Sequence, residues 1–96
     1  MSLVAVAPFL NTLPTNQTVL EGNAATFICY ASGNPAPVIT WIKDERVLGR
    51  EETLTVETDK ESSGEYLCVA DNGFNDTANA SAYLDVQCKC ETLLYS

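Results

Sequence analysis

The sequence predicts an all-β sandwich built from short antiparallel strands. Turn-forming clusters of Gly, Pro, Asn and Asp recur every ~8–12 residues, with apolar alternation between them. No stretch of helical length repeats its apolar residues at i, i+3 and i+4. Cys29, Trp41 and Cys68 each stand on the apolar side of such an alternating run.

Taken in order, Pro8 and Pro14 interrupt the first strand, as suits an edge that cannot donate a full hydrogen-bond ladder. Glu21-Gly22-Asn23 is a turn. Ala25, Phe27, Cys29 and Ala31 share the inner face of the next strand, with Thr26, Ile28 and Tyr30 on the other. Gly33-Asn34-Pro35-Ala36-Pro37 is a rigid loop leading into Val38 to Lys43, where Ile39 and Trp41 point inward. Asp44-Glu45-Arg46 turns the chain, and Thr53 to Val56 forms a short strand. Tyr66 to Ala70 follows, then a turn at Asp71-Asn72-Gly73 and a last strand from Ala78 to Val86. There Ala80, Ala82, Leu84 and Val86 face one side, and Ser81, Tyr83 and Asp85 the other.

A chain of 96 residues makes one domain. Residues 1–7 read as a leader, with Met1-Ser2-Leu3 resembling an expression start. The apolar opening Met1 to Leu10 is a poor signal peptide, because it lacks a basic start and a small-residue cleavage site. The folded domain is expected over 8–87, with a tail or linker at 88–96. No apolar run approaches the ~20 residues of a membrane helix, so insertion by this domain is not expected. The net charge of −8 with only five basic residues argues against nucleic acid, which needs clustered Lys and Arg.

Four cysteines in so short a chain point to an oxidising compartment and leave three pairings open. Catalysis lacks its usual parts. There is no histidine, and Asp59 and Glu61 read as a solvated turn. The cysteine spacing lacks the paired knuckles of a zinc site, so neither a metal nor any other cofactor is expected.

The combined pattern resembles an immunoglobulin-like domain of the I-set or C2-like kind. It consists of Glu21-Gly22 before Cys29, Trp41-Ile42-Lys43-Asp44, and Gly64-Glu65-Tyr66-Leu67-Cys68-Val69-Ala70. The resemblance implies a Greek-key sandwich, with four strands or fewer per sheet and a disulfide between Cys29 and Cys68 packed on Trp41. It also implies a tyrosine corner at Tyr66. In the chain-entropy model, closing a loop of about 40 residues contributes roughly 4 kcal/mol. The short run from Trp41 to Cys68 implies that the strand called D in this family is short or absent. Ser62 stands where the family usually has an aspartate, so the usual buried ion pair is not expected. Cys88 and Cys90 lie too close for relaxed pairing, and are expected to be exposed and either free or linked to another chain or neighbouring domain.

Such domains act by protein–protein recognition in extracellular receptors or adhesion proteins. A protein ligand or a homophilic partner is therefore expected, with neighbouring domains beside it. The alternatives are a structural spacer in a longer ectodomain and an intracellular filament-type module. Sequons at Asn16, Asn75 and Asn79 number more than the roughly one expected by chance, which supports a secreted or cell-surface origin. Inward Trp41 and Cys68 turn Ile42, Leu67 and Val69 outward, and Tyr83 joins them from the last strand. These four are the expected protein-binding patch. Asp44-Glu45 offers a rival acidic loop of the kind that presents a carboxylate to an integrin metal, although Asp is also a common turn former.

Overall fold

Large residues alternate with polar ones along each segment, and Gly, Pro or paired acidic residues end the runs. A computed structural model describes residues 5–73 and 77–88. Among these the chain forms β1 (Val6–Thr12), β2 (Gln17–Leu20), β3 (Ala24–Ile28), β4 (Tyr30–Asn34), β5 (Val38–Lys43) and β6 (Arg46–Gly49). A further three strands follow, β7 (Thr53–Glu57), β8 (Gly64–Asp71) and β9 (Thr77–Gln87), with one 3-10 turn at Lys60–Ser62.

One layer is a five-stranded sheet in the order β2-β9-β8-β5-β6. This exceeds the expected four strands, because both ends of the sheet gain one. Pro14 breaks the first expected strand in two, so β1 pairs with β4 while β2 crosses over and pairs in parallel with β9. The hairpin after β5 adds β6 at the opposite edge. The second layer comprises β1 with β4 and β3 with β7. β3 and β4 are separated only by Cys29, whose N–H donates to the Glu52 carbonyl at 2.9 Å. Among the described residues no strand lies between β6 and β7, which are joined directly by residues 50–52.

The layers meet over one core. Trp41, Tyr66, Phe27 and Leu84 are its largest fully buried members, with Cys29 and Cys68 between them. Cys29 and Cys68 are disulfide-bonded, with Cα atoms 6.5 Å apart. Phe27 packs against Trp41 and stacks on Tyr66, with ring centroids 6.1 and 5.1 Å away. The Trp41 indole Nε1–H donates to the Glu51 carbonyl at 2.8 Å, so the largest core side chain also pins the 50–52 crossing. In β1, the register shifts around buried Pro8, the irregularity that lets a proline sit in an edge strand. Opposite it, a Cβ on Gly33 would come within 3.1 Å of the Val6 carbonyl oxygen and 3.2 Å of the Pro8 backbone, so any side chain there would push β1 back by a few tenths of an ångström.

Local hydrogen bonds hold the corner before β8. The Tyr66 hydroxyl donates to the Ser62 carbonyl at 2.6 Å, which is the expected tyrosine corner. Asp59 accepts from Glu61 N–H at 2.9 Å, while Ser62 Oγ accepts from Asp59 N–H at 3.0 Å, a reciprocal cap on the 3-10 turn. Lys43 Nζ lies 5.7 Å from the Tyr66 ring centroid. Cys88 is half-buried and disulfide-bonded within this chain, against the expectation of an exposed cysteine that is free or linked to another chain or neighbouring domain. Cys90 and the Asn75 sequon lie outside the described residues.

Replacing Cys29 and Cys68 together by alanine is expected to lower the unfolding free energy by about 2–5 kcal/mol. Urea titration checks this, and an unchanged midpoint would contradict it. A second expectation concerns alkaline pH. Burial raises the Tyr66 pKa, a shift that the nearby Lys43 charge partly offsets. The hydrogen bond to Asp44 raises that of Lys43 in turn. Tyr66 in the unfolded chain ionises first, and the Lys43 contribution is lost as pH rises through its raised folded value. Stability should therefore fall above about pH 10. Tyr66→Phe should flatten that fall while costing about 1 kcal/mol at neutral pH through the lost hydrogen bond. Denaturation midpoints measured across pH 7 to about 11 test both parts.

Candidate interaction surface

The inward parity of the core sets the outer face of the five-stranded sheet. Trp41 pairs with Cys68 across β5 and β8, and both are fully buried, so their neighbours turn outward. Ile42 stands directly opposite Leu67, and Leu67 opposite Ser81 on β9. Val69 lies between Thr40 and Asn79, while Tyr83 faces Glu65. The structure therefore brings the four expected patch residues onto one face. Their exposure differs: Tyr83 is 52% exposed, whereas Ile42, Leu67 and Val69 are half-buried by their neighbours.

Val47 extends the apolar row beyond the expected set. It pairs with Ile42 from β6 and is 52% exposed, so one row reads Val47, Ile42, Leu67, Ser81 across four strands. The sequence signal for β6 was present in Asp44-Glu45, a two-residue turn flanked by Ile42 and by Val47-Leu48. Both turn residues have positive φ, 53° and 66°, as a tight two-residue hairpin requires. These acidic residues thus serve as a hairpin turn, and Asp44 is held by Lys43 Nζ at 2.9 Å.

Carboxylates bracket the apolar row. Along β8 the outward positions read Glu65, Leu67, Val69, Asp71, with an acid at each end. Glu65 accepts from Ser81 Oγ at 2.8 Å, and Asp71 caps Gly73 N–H at 2.8 Å. Among the described residues Lys43–Asp44 is the one ion pair, so these outer carboxylates are not neutralised by a cation. Arg50 Nη1 reaches Thr40 Oγ1 at 3.4 Å and borders an open hollow of about 480 Å³ with Val38 and Asp71. The opposite layer has its own exposed apolar residues, Phe9, Ile28 and Tyr30. Among the described residues no cluster of three His, Cys, Asp or Glu side chains is placed to hold a metal ion.

Two sequon asparagines lie beside this face. Asn79 is exposed on β9 opposite Val69, and Asn16 is exposed just before β2, its Oδ1 accepting from Tyr83 N–H at 2.9 Å.

A model of the immunoglobulin domain family matches residues 8–72. The chain belongs to the immunoglobulin domain family. Such a domain is a non-catalytic module. Rat neogenin is 38% identical over 91 residues, covering 83% of this chain and 6% of neogenin. Cell adhesion molecule Dscam1 of Drosophila melanogaster is 40% identical over 73 residues, covering 74% of this chain and 4% of that protein. The chain thus spans a small fraction of the length of these relatives. A solved complex of Dpr11 with DIP-gamma superposes with a TM-score of 0.80 at 26% identity, covering 88% of this chain and 49% of the matched one.

Replacing Glu45 by glycine should relieve one left-handed residue and raise stability by about 0.5–1 kcal/mol. Thermal or urea unfolding reads this directly. A loss of stability would show that the Glu45 side chain contributes more than its backbone conformation costs.

Proposed function

We propose that this domain is a protein–protein recognition module of an extracellular receptor or adhesion protein. Its contact surface is the outer face of the five-stranded sheet, centred on Ile42 and Leu67 with Val69 and Tyr83 beside them. The observation that carries the reading is the apolar row across β6, β5 and β8, bracketed by carboxylates. An apolar centre with a charged rim is the anatomy of a docking surface. The buried disulfide supports an oxidising compartment. A relative named as a cell adhesion molecule and an immunoglobulin fold solved in a complex support partner binding. The domain itself is proposed to span residues 8–87 together with Val6 and Ala7, which already belong to β1, with a leader before them and a tail or linker at 88–96.

The exposed Phe9 and Tyr30 favour a second reading, in which the opposite layer makes the contact. Leu67→Asp combined with Tyr83→Ala separates the two. Burying each large apolar side chain contributes ~1.5–3 kcal/mol, so the pair should weaken partner binding by roughly a hundredfold or more. Phe9→Ser with Tyr30→Ser should leave binding unchanged. Cell binding and sedimentation of the ectodomain carrying this domain measure both, with circular dichroism as the check on folding. Binding that survives the first pair but fails with the second would move the contact to the other layer.

A further inference from the structure

We propose that N-linked glycans on Asn16 and Asn79 cover the β9 flank of the outer face, leaving the β5–β6 flank as the part open to a protein partner. The inference rests on the extracellular reading and narrows the contact proposed above to Val47, Ile42 and Leu67, taking Val69 and Tyr83 out of it wherever both glycans are present.

Each described sequon asparagine is exposed, so a bulky substituent fits without moving the core. The Asn79 side chain has no hydrogen bond to the described residues, so its amide nitrogen is unengaged. It projects from the outward row of β9 directly opposite Val69. Asn16 is held differently. Its Oδ1 accepts from Tyr83 N–H at 2.9 Å, which orients the amide and leaves Nδ2 for the sugar. One glycan therefore rises beside Val69 and the other beside Tyr83, both on the same side of the Ile42–Leu67 pair. Residues 38–49, which form β5, its turn and β6, contain no sequon. Val47 and Ile42 stay open on that flank.

In the modification, Asn Nδ2 attacks C1 of an oligosaccharide carried on a lipid pyrophosphate. The N–C1 bond forms and the C1–O bond to pyrophosphate breaks. The lipid pyrophosphate leaves and the amide proton passes to the medium. The glycan occupies polar surface over half-buried and exposed apolar side chains, which accounts for a tyrosine that is 52% exposed beside a charged flank.

The test secretes the chain from animal cells and maps occupied sites by peptide mass spectrometry. Hydroxyl-radical footprinting then compares it with a Thr18→Ala/Ser81→Ala chain, which lacks both sequons but keeps both asparagines. Glycan at Asn16 and Asn79 is expected, with labelling of Tyr83 and Val69 several-fold lower than in the double variant. Labelling of Val47 and Ile42 should be unchanged. Folded, disulfide-bonded chain secreted without glycan at either site overturns the shield and leaves the docking reading standing. Equal labelling of Tyr83 and Val69 in both chains does the same. Retention of the chain unfolded inside the secretory pathway counts instead against the extracellular reading on which the proposal rests.

Discussion

Cys29 and Cys68 join the two layers through a bond at the centre of the molecule, and Trp41, paired with Cys68 across β5 and β8, fills the space beside it. All three are fully buried. Because side chains alternate along a strand, fixing these three inward determines the direction of every neighbour on β5 and β8. A one-residue slip in either strand would expose Trp41 or Cys68 and bury Ile42 or Leu67 in their place. The covalent bond forbids that slip in β8, and the burial of Trp41 opposes it in β5. The outer face is therefore as well specified as the core, though none of its residues contributes to the bond.

The remainder of the structure solves the edges that this arrangement leaves. β1 cannot continue as a regular strand through Pro14, so the chain changes layer and β2 covers the outer edge of β9. At the other edge, β6 is held by a turn whose two central residues both adopt positive φ. The direct crossing from β6 to β7 is tied to the core by the Trp41 indole and the Cys29 amide, which bond successive carbonyls at Glu51 and Glu52. Two residues of the central cluster thus satisfy the backbone of the segment that stands where a further strand would run. Loss of that strand leaves no buried side-chain polar atom unpaired among the described residues.

The sandwich and the parity of the outer face were legible from spacing and alternation, whereas the disulfide and the tyrosine corner were legible only through the resemblance to immunoglobulin-like domains. β6 was half legible: the turn at Asp44-Glu45 was visible, but four residues with apolar Val47 and Leu48 adjacent give no period, and Asp-Glu is an unusual pair for a two-residue turn. Splitting of the first strand was half legible. Pro14 announced the break, but only tertiary pairing decides that the second half joins β9 in parallel. The Asp59–Ser62 cap was also out of reach, because it depends on how Asp59 folds back onto the 3-10 turn. Cys88 was misjudged for a similar reason, since sequence separation alone does not determine which thiols meet.

The core and the proposed recognition face sit on opposite parities of the same strands, and this separation has a consequence for how the surface can vary. Outward residues such as Leu67 and Tyr83 contact neighbours along the face and contribute little to the packing around Trp41. Their replacement alters the chemistry of the face without creating a cavity. Inward residues have no such freedom, because Phe27 touches both Trp41 and Tyr66, and a lost methylene there is felt across both layers. A surface built this way can exchange a protein partner for a glycan, or one partner for another, by substitutions at outward positions alone. Asn79 shows how small the step is, since it occupies a position equivalent to Ser81 and Tyr83 on one strand, and only the hydroxyl two residues on makes it a sequon.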